Sequence, residues 1–178
     1  MKKKTLAVAL AFVLVIAMSV AGTLAYLTDT TDAVVNTFTV GKVDINLAES
    51  DNLDLKMIPG KEITKDPKVT VIAGSEDSWV FVKIDESENL DTFITYSVAD
   101  GWTALENVSG VYYREVSASD KNQDFSVIAG DKVTVKATVT VADMTGAENN
   151  QPTLTFTAYA IQQAGFETAV KAWAEVSK

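Results

Sequence analysis

The side chains of this sequence that can do chemistry are carboxylates, lysines, hydroxyls and phenols, because it contains no histidine and no cysteine. That absence excludes His- and Cys-ligated zinc, Ser-His-Asp triads, thiol nucleophiles, Fe–S clusters and disulfide frameworks. Carboxylate pairs remain. Asp85-Glu86 and Glu76-Asp77 are adjacent in sequence, but a glycosidase needs two carboxylates facing each other across a cleft, and 24 acids in 178 residues make chance pairs ordinary. No GxGxxG or GxxxxGK[ST] loop occurs, so no phosphate cradle is encoded.

Calcium is the cation that oxygen ligands on an exported chain would take. The candidate loops are Asp29, Thr30 and Asp32, then Glu76-Asp77, then Asp85, Glu86, Glu88 and Asp91, none with EF-hand spacing. Solvated acidic loops that keep a chain soluble have the same composition and are the commoner arrangement. Trp79, Phe81, Trp102, Tyr112 and Tyr113 are the residues a sugar-stacking platform would use, although such residues more often fill a β core. No other cofactor is implied. The formal net charge of −9 argues against a nucleic-acid partner, since phosphate backbones demand a basic footprint.

The elements that must position these groups begin with a leader. Lys2-Lys3-Lys4 precede a charge-free apolar stretch from Thr5 to Leu27, and Thr23 with Ala25 forms a small-x-small cleavage site between Ala25 and Tyr26. Residues 1–25 therefore read as a secretory signal peptide. The same stretch is long enough to serve as an uncleaved membrane anchor. Either way residues 26–178 are expected outside the cytoplasmic membrane, which the chain meets only through that segment.

Residues 26–178 read as one β domain, long enough to bury a core without a staple. Alternation is clearest in Asp131–Ala142, where Val133, Val135, Ala137, Val139 and Val141 oppose Lys and Thr. It recurs in Val80, Val82 and Ile84, in Leu154, Phe156, Ala158 and Ala160, and in Val43, Ile45 and Leu47. Segments 34–40, 93–98, 111–113 and 125–128 complete eight to ten short strands. Pro59-Gly60, Ala73-Gly74, Asp100-Gly101, Ser109-Gly110, Ala129-Gly130 and a Gly146–Asn150 loop punctuate them. The fold class expected is all-β, an antiparallel two-sheet sandwich or a barrel. One C-terminal helix is expected over 165–177, with Phe166, Val170, Trp173 and Val176 on its apolar stripe, packed on the core or docked to a partner. A second, short helix fits around 87–93.

The N-terminal part carries a resemblance. Gly22-Thr23-Leu24-Ala25-Tyr26-Leu27-Thr28-Asp29, then Asn36-Thr37-Phe38-Thr39-Val40-Gly41-Lys42-Val43-Asp44-Ile45, then the turn at Pro59-Gly60 and the strand Trp79-Val80-Phe81-Val82, resemble the TasA/camelysin family. Those proteins carry signal peptides cut by the SipW-type peptidase of Gram-positive bacteria. The resemblance implies a jelly-roll-like sandwich at the cell surface or in the biofilm matrix. It also implies head-to-tail fibre assembly, in which the freed N-terminal segment of one copy adds as a strand to the next. Carried onto this sequence, the donor segment is 26–36, anchored by Tyr26, Leu27, Val34 and Val35. The polar run Thr28-Asp29-Thr30-Thr31-Asp32 in its middle is a departure from a buried strand. Camelysin-like members are catalogued as metallopeptidases, but the usual histidine ligation of zinc is unavailable here, so the chain is expected not to be an enzyme. The competing expectation is a monomeric surface module binding cell-wall glycan or a protein.

Overall fold

The computed structural model describes residues 41–50 and 55–178. Antiparallel pairing dominates them, in three small hydrogen-bonded sheets accompanied by three short helices, where two sheets, a C-terminal helix and a short helix near 87–93 were expected. The first sheet has the order β1–β3–β8, with β1 Ile45–Ala48, β3 Lys68–Val71 and β8 Gln123–Ser126. The second runs β10–β4–β7–β6, with β4 Ser78–Glu86, β6 Thr103–Ala104, β7 Val111–Val116 and β10 Leu154–Gln162. The third is β2–β9–β5, with β2 Glu62–Thr64, β5 Ile94–Thr95 and β9 Lys132–Val135.

The second sheet is built around β4, whose side chains are buried on both faces. Val80, Val82 and Ile84 meet Val69, Val71 and Val127 in one core cluster, with Phe156, Ala158 and Ala160 of β10 beside them. The face that carries Lys83 and Asp85 at one end carries Trp79 and Phe81 at the other, and these two are buried. They are covered by α3, Ala169–Val176. Thr168 caps this helix by accepting from the Lys171 amide at 3.3 Å, and Ala169, Ala172, Trp173 and Val176 form its packed stripe at i, i+3, i+4 and i+7. The helix thus starts four residues later than expected. Val170 points outward, while Phe166 packs from the preceding turn and its carbonyl accepts from Trp79 Nε1 at 3.1 Å. Core packing, not an unpartnered docking face, is its role among the described residues.

A third cluster joins Ile63, Val133, Val135, Ile94 and Ile128 to Leu90 and Phe93 of α1, Leu90–Phe93. This is the short helix expected near 87–93. It takes Phe93 out of the strand expected there and leaves Ile94–Thr95 paired with β9, with an isolated bridge from Val98 to Ile128 further on.

The largest correction concerns Asp131–Ala142, expected as one strand. Pairing stops at Val135. Its partners β2 and β5 are three and two residues long, so the ladder has nothing to continue against. The Lys136 amide donates to Phe93 O at 2.8 Å, a turn follows, and α2, Val141–Ala147, begins. Thr140 and Asp143 make a reciprocal capping box: the Asp143 amide donates to Thr140 Oγ1 at 3.2 Å and the Thr140 amide to Asp143 Oδ2 at 2.8 Å. Val141, expected on the core face, is 85% exposed. Alternation is a weak signal where Thr is one of the alternating residues, because Thr is also an N-cap.

The hydrogen bonds from Thr140 hold the Asp143 carboxyl below the usual carboxylate range. A depressed folded pKa means that its contribution is present at neutral pH and is lost as pH falls through that lowered value. Thr140→Ala is expected to cost about 1 kcal/mol in urea unfolding, and the Asp143 titration followed by NMR should move back up.

Ser78 is fully buried and its hydroxyl has no partner among the described residues. Ser78→Ala should therefore leave stability unchanged or raise it by up to about 1 kcal/mol in the same assay.

Candidate functional site

The feature that stands apart is the outer edge of β10. This strand is nine residues long, pairs with β4 on one side, and has no hydrogen-bonded strand on its other side among the described residues, although β1 of the first sheet packs close to it. The register gives the direction of its backbone groups. Ser87 N donates to Thr153 O at 3.0 Å and Gln163 N to Asp77 O at 2.7 Å, both on the β4 side. In an antiparallel ladder the hydrogen-bonded positions alternate. The N–H and C=O of Leu154, Phe156, Ala158, Ala160 and Gln162 therefore point away from β4, toward the unpaired edge.

A hollow runs beside the start of this edge. It is an open depression of about 310 Å³ lined by Leu47, Ala48, Glu49, Lys65, Leu154, Thr155 and Phe156. Lys65, Leu154 and Thr155 also line a larger cavity of about 650 Å³, whose apolar walls include Ile63, Val133, Met144 and Leu55. Lys65 closes the join: its Nζ lies 2.7 Å from Glu49 Oε2 and 5.5 Å from the centre of the Phe156 ring. Ser50 bonds the Asp66 carboxylate through both its amide and its hydroxyl, holding that carboxyl below its ordinary pKa. The segment beside β1 is thereby pinned to the start of β3.

No charged residue occurs from Gln151 to Gly165, a span that contains the whole of β10. Edge strands are ordinarily blunted by charge, proline or bulges. The alternation Leu154, Phe156, Ala158, Ala160 read correctly as an inward face, but sheet order is not encoded in a strand's own residues, so the edge was not foreseen. The signal available was the charge-free run itself.

Ala25, Tyr26, Leu27, Val34 and Val35, the expected cleavage and donor residues, lie outside the described residues, as do Asp29, Thr30 and Asp32. The remaining calcium candidates are not brought together. Asp77 accepts from the Ala118 amide, Asp85 pairs with Lys83, Glu86 accepts from Tyr96 and Asp91 pairs with Lys136. The candidate aromatics form no common platform. Trp79 and Phe81 lie under α3, Trp102 is in the opposite cluster, and Tyr112 and Tyr113 fall on the two faces of β7. Among the described residues no helix is long and apolar enough to cross a membrane.

These strands continue a chain whose first part has known relatives. Residues 1–83 match the camelysin metallo-endopeptidase family. The camelysin match, expected from the resemblance, ends inside β4, so β10 with its open edge lies beyond it. Comparison with curated proteins and with solved structures finds no significant match. Among the described residues the metal that the camelysin description implies finds no fitting donor set. The chain has no histidine or cysteine, and among the described residues no three acids are grouped to hold an ion.

Proposed function

We propose that this chain is an extracellular structural protein of the cell surface or biofilm matrix, a fibre subunit that assembles head-to-tail by strand addition, and not a hydrolase. In this reading the four-stranded sheet is one layer of a jelly-roll-like sandwich. The two three-stranded sheets together make the other, since their Val69, Val71, Val133 and Val135 pack toward the β4 and β10 side. The observation that carries the reading is the nine-residue, charge-free edge of β10 beside a shallow trough that has Leu47, Leu154 and Phe156 on its walls. Its outward N–H and C=O groups are what an incoming strand pairs with, and the trough is where that strand's apolar side chains go. The donor is segment 26–36, freed by cleavage after Ala25, with Tyr26, Leu27, Val34 and Val35 as anchors. Donor and acceptor surfaces differ, so the contact is heterologous and builds an open filament.

Negative-stain electron microscopy of the chain beginning at Tyr26 tests this. Regular filaments are expected, and removal of 26–35 should abolish them while unfolding stays cooperative. Thr155→Lys is a second arm. Thr155 is exposed and lines both parts of the trough. A lysine there is expected to block filaments with a stability change within about 0.5 kcal/mol. Dispersed monomers from the unmodified chain would instead favour a monomeric surface module, and filaments from the trimmed chain would sink the donor model.

A further inference from the structure

Asp100-Gly101 is the only Asp-Gly pair in the chain, and no Asn-Gly pair occurs. It forms the turn that leads into the buried Trp102 and then β6. Both residues of the pair are exposed. Among the described residues the Asp100 carboxylate has no hydrogen bond and no ion pair, and the Gly101 amide donates to nothing. Other aspartates are held. Asp66, Asp77, Asp124 and Asp143 accept hydrogen bonds, and Asp85 and Asp91 pair with lysines. Asp120 and Asp131 have no such partner, but each is followed by a lysine, whose side chain crowds the next amide.

The fold requires the glycine. Gly101 has φ +85°, a conformation that disfavours any L side chain. The space is also taken, since a Cβ there would lie 2.9 Å from a terminal nitrogen of Arg114, which is stacked over Phe125. The residue that the turn demands is thus the one that leaves an amide nitrogen unshielded beside a free carboxyl.

We infer that Asp100-Gly101 is a site of spontaneous main-chain isomerisation, at which aspartate becomes isoaspartate. The Gly101 nitrogen attacks Asp100 Cγ. An N–Cγ bond forms, and the carboxyl hydroxyl leaves with the amide proton as water. Water then opens the succinimide. Cleavage of the new N–Cγ bond restores aspartate. Cleavage of the original peptide bond leaves the chain running through Cβ and Cγ, one methylene longer. Nothing is oxidised or reduced, and the mass is unchanged. The position gives this change a consequence. Trp102 is 9% exposed, and its Nε1 donates to Ser126 O at 2.9 Å, tying the turn to β8 of the first sheet. A methylene added just before it displaces that anchor.

The test is to age the full chain at neutral pH, below its Tm, and map it by electron-transfer fragmentation, which separates the two linkages. Isoaspartate is expected at position 100 in excess of that at all other aspartates together, and the isomerised fraction should have a lowered Tm. Asp100→Glu should lose the signal, because its ring would be larger and closes slowly. Asp100→Asn should convert faster through the same succinimide, with the mass change from amide to acid. Cooperative unfolding confirms that each variant folds. Isoaspartate at 100 only in the urea-unfolded chain, modification chiefly at other residues, or a folded Asp100→Asn chain that keeps its mass would each overturn the assignment.

Discussion

Replacing Gly110 by alanine should destabilise the chain by about 3 kcal/mol or more, a fall in Tm of roughly 6–12 °C for a domain of this size. Two independent penalties meet there. The residue has φ +73°, a conformation that costs an L side chain about 1–2 kcal/mol. A Cβ would also stand 2.6 Å from Ile84 O, a backbone atom that cannot swing aside. The same carbonyl region is where β7 joins β4, since Ile84 N donates to Gly110 O at 2.8 Å just outside the Lys83–Val111 pair. Relieving the clash means moving β7 off the central strand. Gly74 is the internal control. Its φ is +79° but nothing lies within 4 Å of its Cβ position, so Gly74→Ala carries only the conformational penalty, about 1–2 kcal/mol. Thermal and urea unfolding of both variants measures the difference. Equal losses would show that the Ile84 contact contributes nothing.

That contrast also shows how far this fold can be read from residues. A Gly after Ala73, Asp100, Ser109 or Ala129 marks a turn, and each of these four glycines does adopt positive φ. The two-residue period places Val80, Val82 and Ile84 on one face and Phe156, Ala158 and Ala160 on the same one, because pleating forces it. What the period does not carry is where a ladder ends. Val133 to Val141 alternates throughout, yet the strand stops where its short partners stop, and Thr140 then caps a helix. Sheet order is equally silent: nothing within Leu154–Gln162 says that one side is unpaired, and only its lack of charge hints at an edge that accepts a strand. Arg114, a lone arginine amid alternating Tyr and Val, reads as the solvated half of a strand, whereas pairing with Val80 turns it inward.

Truncating Phe81 to alanine should cost about 3–5 kcal/mol. Phe81 has no exposed surface and lies at the centre of the four-stranded sheet, paired with Tyr113 of β7 and Tyr159 of β10. Its ring centre is 5.3 Å from that of Trp173, which stands edge-on to Tyr159 at 5.2 Å. An alanine here leaves a cavity walled by three strands and α3. The rigid paired strands are held by their ladders, so the element free to relax is the eight-residue terminal helix. Loosening should appear as a red shift and easier acrylamide quenching of tryptophan emission, ahead of global unfolding. Val170→Ala, on the outward face of the same helix, should change stability by no more than about 0.5 kcal/mol and leave the emission alone. The comparison bears on assembly as well as stability. With α3 seated, the broad aromatic face of β4 and β10 is covered, and the backbone edge of β10 is what remains for an incoming strand. Unseating α3 bares apolar surface with no directional hydrogen bonds. Phe81→Ala is therefore expected to turn ordered filaments into amorphous aggregates under the electron microscope, whereas Thr155→Lys leaves dispersed subunits. If Phe81→Ala forms regular filaments with normal tryptophan emission, α3 is not what restricts association to the edge.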